Sequence, residues 1–140
     1  MVFSILVTLL FGVTSPQKDP GDSIFWLKSK WLNQEASVLK LSDFRGMPSV
    51  VSMVFLGCKY TCPLTVQDMK EMDSLLEAAK VEHYRMVLIS IDPERDTPEA
   101  MKKFMQMRKL DPKRWTLISS SPESVRELAA ALGYSYKKDE

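Results

Sequence analysis

Cys58 and Cys62 are the only cysteines in the chain. They lie in the run Cys58-Lys59-Tyr60-Thr61-Cys62-Pro63, after an apolar stretch, residues 49–56, that stops at Gly57. A helical pattern follows them. Pro63 suits the first helical position, which puts Cys62 at or near the N-cap. There the unpaired N–H groups and the positive end of the helix dipole favour a thiolate over a thiol. Cys58, on the short loop, can fold back so that both sulfurs face one point. Converging soft sulfurs close a disulfide or bind a soft metal such as Cu(I). In a dithiol–disulfide cycle the more exposed Cys58 attacks and Cys62 resolves. A structural zinc site needs a full tetrahedral ligand set, and the thiols with the distant His83 fall short of it. A peroxidase needs only a cysteine of low pKa, but no arginine is dedicated to activating one.

The elements that must position this pair follow in order. Residues 31–33 and 38–41 predict a short hairpin across 34–37. Residues 41–46 predict a turn of helix capped by Ser42, with Phe44 toward the core. Residues 49–56 form a buried strand, entered through Pro48. Residues 65–80 carry Val66, Met69, Met72, Leu76 and Ala79 at three- and four-residue steps, one apolar stripe of a helix. Residues 85–92 are a second strand, apolar enough to be covered on both faces. Thr97 caps a helix over 98–110 that begins at Pro98 and offers Met101, Phe104, Met105 and Met107 to the core. Residues 115–118 are a third strand. Ser121 caps a third helix, begun at Pro122, striped by Val125, Leu128, Ala129 and Leu132 and stopped at Gly133. Residues 134–136 begin something extended. This alternation argues an α/β layer fold with parallel strands and right-handed crossovers. Such folds build sites at the carboxyl ends of parallel strands, where Cys58, Cys62 and the loop 92–97 emerge.

Other chemistry-bearing residues have plainer readings. Asp92, Glu94, Arg95 and Asp96 read as turn chemistry with surface ion pairing; the sharper reading has an acid tuning the thiols or orienting a further ligand. Thr61 and Thr65 suffice as helix caps. The nine methionines are core filler before they are copper ligands. Trp26, Trp31 and Trp115 are packing residues, and Tyr60 shields the loop or meets a partner.

The 140 residues are 45% hydrophobic and 26% charged, with net charge +1, as expected of one globular domain. Acids and bases alternate without a basic stripe, which excludes nothing but offers no sign of nucleic-acid or anionic-membrane binding. Residues 2–13 are apolar but short of the roughly 20 needed to span a bilayer. Residues 1–17 therefore read as an export signal, although they lack a Lys or Arg n-region; an N-terminal core strand is the alternative. Export would place the mature protein in the periplasm or another oxidising compartment, where a disulfide persists. Residues 18–30 are a polar lead-in.

CKYTCP after a strand, then ISIDPERDTPE, then TLISSSPESVRELAAALGYSYKK, with LSDFRGMPSVVSMVF upstream, resembles the SCO/SenC family of thioredoxin-like copper proteins. The resemblance runs from about Trp31 to about Tyr136, within a domain over 31–140. It implies a thioredoxin-like three-layer fold with a central sheet. It implies copper held by Cys58 and Cys62 and delivered to the CuA site of cytochrome c oxidase subunit II. It also implies thiol–disulfide activity on that subunit's cysteines. Family members carry a third ligand, a histidine, on a loop beyond the last stretch present here. His83 lies at the amino-terminal edge of the second strand, the wrong end to meet the cysteines, and is not assigned to copper. The expectation is a chain that stops before that histidine and before the C-terminal hairpin and helix of the sheet. A metallochaperone and a thiol–disulfide oxidoreductase cycling Cys58 and Cys62 both fit such a chain.

A strand edge and a sheet face left open would make this chain marginal as a soluble monomer. Urea unfolding checks that expectation. A sharp two-state transition with a stability of about 5 kcal/mol or more would refute it.

Overall fold

The computed structural model describes residues 23–57 and 61–135, and only the backbone at 61–63. Cys58, Lys59 and Tyr60, the export-signal reading of 1–17, the start of the lead-in and residue 136 lie outside the described residues. Among the described residues no helix is long and apolar enough to cross a membrane.

A five-stranded sheet forms the centre. In chain order its strands are β1 (Lys30–Asn33), β2 (Val38–Lys40), β3 (Ser49–Val54), β4 (Arg85–Ser90) and β5 (Trp115–Ser119). The helices are α1 (Thr61–Ala78), α2 (Pro98–Arg108) and α3 (Pro122–Ala131), with 3-10 turns at Ile24–Trp26 and Leu41–Phe44. The spatial order is β2-β1-β5-β4-β3. β3, β4 and β5 run parallel, and the β1–β2 hairpin joins antiparallel to β5. Only Leu32 and Asn33 of β1 pair with β5. The buried Gln34 extends that seam, its Oε1 accepting from the Leu117 N–H at 3.0 Å.

Strand alternation divides the core. Met86, Leu88, Trp115 and Leu117 pack with Val66 and Met69 of α1 and Met101, Phe104 and Met105 of α2. Val87, Ile89 and Ile118 face the other way, toward Trp31, Leu41 and Val125 and Leu128 of α3. The result is a helix–sheet–helix sandwich. Residues 86–90 are all buried, as a central strand covered on both faces requires.

Local signals place most boundaries. Thr97 Oγ1 accepts from Ala100 N and Ser121 Oγ from Ser124 N, each at 3.3 Å, so both proline-led helices begin where their caps predict. Gly133 takes φ +73 and ends α3. The expected hairpin is present with its turn at 34–37.

Several expectations change. The first turn at 41 is stabilised by Asp43, whose Oδ2 accepts from Lys40 N at 2.8 Å, and not by a Ser42 cap. α1 begins at Thr61 instead of Pro63 or Thr65, so Cys62 sits in the first turn, near the N-cap. Proline is tolerated there because first-turn N–H groups have no intrahelical partner to lose. β3 is only half-buried at Val50, Val51 and Met53, because it is an edge strand among the described residues. Met72 and Met107 are exposed, at 45% and 65%, and Ala79 is exposed too. Trp26 is a surface residue at 50% exposure, whereas Trp31 and Trp115 are core.

The stripe of α1 turns inward through Asp73, which replaces Met72 on the core side. Its carboxylate receives Tyr84 Oη at 2.6 Å, Arg114 Nε at 3.0 Å, Trp115 Nε1 at 2.8 Å and a second Arg114 nitrogen at 3.3 Å. Burial opposes the charge, but hydrogen bonds from Arg114, Tyr84 and Trp115 outweigh it and hold the Asp73 pKa below its ordinary value. Burial, then the Asp73 carboxylate, push the Tyr84 phenol up to about 12. Asp73 thus clamps α1 to the amino ends of β4 and β5.

Replacing Asp73 with alanine strands these donors and should cost about 3 kcal/mol by urea unfolding. A depressed folded pKa stabilises above the unfolded value of about 3.9 and is lost as pH falls through the folded value. Asp73→Asn should therefore abolish part of the wild-type loss of stability in acid. A cost below about 1 kcal/mol would show that the clamp is not a main support of the fold.

Candidate functional site

The parallel ladder sets the site. Val54 and Ser90 are register partners, so the loops that leave β3 and β4 start side by side. The Ile91 N–H continues the pairing to Val54 O at 2.9 Å. One loop leads through Phe55, Leu56 and Gly57 toward Cys58. The other is the 92–97 loop. The backbone of Cys62 lies in the first turn of α1, which starts at the same edge.

A buried polar group ties the loops together. Asp96 is 3% exposed and Ser90 fully buried. Ser90 Oγ donates to Asp96 Oδ2 at 2.7 Å, and the Leu56 N–H reaches the same oxygen at 3.4 Å. Ser90 Oγ in turn accepts from Asp92 N at 3.1 Å. The 92–97 loop closes on itself, with Asp92 O accepting from Arg95 N and Asp96 N. Asp96 therefore spans from the end of β4 to the peptide two residues before Cys58.

A second tie runs over the outside. Arg95 Nε pairs with Asp92 Oδ2 at 3.1 Å, and its guanidinium lies 5.8 Å from the Phe55 ring centroid. The same ring approaches Gly57 so closely that a Cβ there would meet its Cζ at 2.7 Å. Gly57 thus lets the chain pass under Phe55 on its way to Cys58.

The expected turn and the Asp92–Arg95 ion pair are present, but two of the loop acids are not surface groups. Glu94 and Arg95 are exposed, but Asp92 and Asp96 are buried. Asp92 Oδ1 is buried without a hydrogen-bond partner. Burial raises the Asp96 pKa; hydrogen bonds from Ser90 and Leu56 lower it without cancelling the rise, and the Asp92 charge adds to it.

His83 lies at the opposite, amino-terminal edge, exposed and with φ +59. It is not brought to the cysteine loop. Among the described residues no group of His, Cys, Asp and Glu is arranged to hold a metal ion. Ser90 and Phe55 went unnoticed in the sequence. The available signal was a serine ending an apolar strand, with an acid six residues on.

The raised Asp96 pKa has a definite sign. The folded state holds this proton more tightly than the unfolded chain, so the contribution of Asp96 to stability falls as pH rises through the window above about 3.9. Asp96→Asn keeps the shape and cannot ionise. Its stability relative to wild type should rise as pH increases above about 3.9, measured by urea unfolding. A constant or falling difference would mean that the site accommodates a charged Asp96.

Solved structures share this architecture. BsSco, a member of the Sco family of cytochrome c oxidase assembly proteins in which a disulfide switch was identified, superposes with a TM-score of 0.71 at 26% identity, covering 79% of this chain and 65% of that one. Bradyrhizobium japonicum ScoI with copper bound gives 0.66 at 23% identity, covering 80% and 69%. Among curated proteins, the SCO1 protein homolog of Bacillus subtilis is 26% identical over 92 residues, 66% of this chain and 47% of its own length. The chain spans about half the length of the curated relatives it matches, 47% and 50% for the first two. The thioredoxin-like layer fold is thus shared with the Sco structures. The SCO1/SenC family model matches residues 27–140, and the chain belongs to the SCO1/SenC family.

Proposed function

We propose that this protein is a copper-binding metallochaperone whose Cys58 and Cys62 carry copper and pass it on by ligand exchange. The observation that carries the reading is the strand–loop–helix junction. It starts Cys58 from the end of β3 and sets Cys62 in the first turn of α1, at the site-forming edge of a family fold. Support comes also from relatives described as copper-bound, among them ScoI of Bradyrhizobium japonicum.

Copper is cargo here, so the site must both hold and release it. Soft thiolates favour Cu(I), and the N–H groups and dipole of the first turn of α1 favour the thiolate form that binds. A two-sulfur site leaves a coordination position open to a ligand from an acceptor, which is what transfer by exchange requires. The acceptor we propose is the CuA site of cytochrome c oxidase subunit II, in an exported, periplasmic setting where residues 1–17 serve as the export signal. Asp96 and Ser90 hold Leu56, two residues before Cys58, to the end of β4.

A second reading is a thiol–disulfide oxidoreductase using the same pair. It is favoured by the position of His83, the only histidine in the chain, at the far edge of the sheet. A disulfide needs only the two sulfurs.

Cu(I) titration of the reduced chain against a competing chelator separates the readings. One equivalent should bind tightly, and Cys58→Ser or Cys62→Ser should lose at least about tenfold in affinity. Failure to compete with the chelator, together with reduction of insulin disulfides, would overturn the copper reading in favour of the oxidoreductase.

A further inference from the structure

A cleft of about 530 Å³ opens at the amino-terminal edge of the sheet, the end away from the cysteine loop. Lys80, His83, Arg85, Lys113 and Arg114 line it, with Glu77 and Glu82. These cations come from three separate stretches: the end of α1, the start of β4 and the turn before β5. Only the fold gathers them.

Their charges are unequally compensated. Arg114 is spent on the Asp73 clamp, with Glu77 and Asp111 each 3.5 Å from it. Lys80 and Lys113 are exposed and have no ion-pair partner among the described residues. Arg85 is half-buried, and its Nη1 donates to Lys113 O at 2.6 Å. That bond fixes both the guanidinium and the peptide carrying Lys113, and leaves the other guanidinium N–H groups to the cleft. Against these three cations stand Glu82 and Glu77, the latter sharing the single Arg114 with Asp73 and Asp111.

A fixed guanidinium flanked by ammonium groups suits an anion with several oxygens. A carboxylate would satisfy the guanidinium alone. A tetrahedral dianion offers an oxygen to each cation. We infer that this cleft binds a phosphate-type oxyanion, through Arg85 and the Lys80 and Lys113 ammonium groups. The site is independent of the copper reading. Free phosphate and a phospholipid headgroup share the required chemistry. The cleft and the cysteine loop lie at opposite ends of β4, about 20 Å apart at the rise of a strand. A bound headgroup would therefore turn the carboxyl ends of β3 and β4 away from the surface that carries it.

The test is titration of the full chain with inorganic phosphate, followed by backbone amide chemical shifts, with acetate at matched ionic strength as control. Saturable shifts should gather at residues 80–85 and 113–114. In Lys80→Gln/Lys113→Gln phosphate should bind about tenfold more weakly, a loss of roughly 1.4 kcal/mol. Lys28→Gln/Lys103→Gln removes the same charge elsewhere and should leave binding unchanged. Shifts no larger with phosphate than with acetate, or equal losses in both double variants, would overturn the site. Co-sedimentation with phosphatidylcholine vesicles, with and without phosphatidic acid, names the source. Binding that needs phosphatidic acid and both lysines identifies a headgroup. Saturable phosphate binding without vesicle binding identifies the free anion.

Discussion

Parallel pairing of β3, β4 and β5 is the constraint from which the rest follows. Parallel neighbours cannot be joined by a tight turn, so each connection must cross the sheet. α1 and α2 are those crossings, and they pack on one face with Val66, Met69, Met101 and Phe104. Every strand of the parallel set therefore delivers its carboxyl end to one edge. The edge-to-edge register, Val54 beside Ser90, then decides which loops touch. Residues 55–57 and the 92–97 loop are neighbours because of that ladder, before any side chain acts.

The two edges solve the cost of buried charge in opposite ways. At the amino edge Asp73 stays ionised, because Arg114, Tyr84 and Trp115 supply donors that replace its water. At the carboxyl edge Asp96 has one hydroxyl and one long peptide contact, and burial raises its pKa above the ordinary value. The difference suits position. A fully paired carboxylate locks a helix to a sheet and gains from staying fixed. A carboxyl held between the ends of two strands by one hydroxyl and one peptide N–H has no such set of donors. Asp92 is paired to the exposed Arg95 on one oxygen and has no hydrogen-bond partner on the other.

What the sequence revealed follows the range of each interaction. The hairpin at 31–41, the caps Thr97 and Ser121 and the stop at Gly133 are local chemistry, and all were readable. The strand before Gly57 and the helix after it were readable too, but Pro63 marked the helix start two residues late, because α1 begins at Thr61. An apolar run does not disclose whether its strand is central or at an edge, so the half-buried state of β3 was not legible. Periodicity put Met72 in the core because it scores hydrophobicity, and it could not know that Arg114, Tyr84 and Trp115 would converge on Asp73. The burial of Asp92 and Asp96 was missed for the same reason. The cations at 80, 85 and 113 read as scattered surface charge until three chain segments meet.

The separation of the two ends of the sheet also limits how they can influence each other. At about 20 Å and an effective dielectric constant of about 20, unit charges interact by roughly 0.8 kcal/mol, before screening by salt. A doubly charged anion in the amino-edge cleft would thus shift a cysteine thiol by about one pKa unit at most. Direct electrostatics is too weak to switch copper binding or disulfide formation. β4 is buried from Met86 to Ser90 and paired on both sides, so it is a poor element to bend. The coupling that remains is geometric. Whatever holds the amino edge fixes the direction in which the cysteine edge faces, and a rigid central strand transmits that direction without distortion.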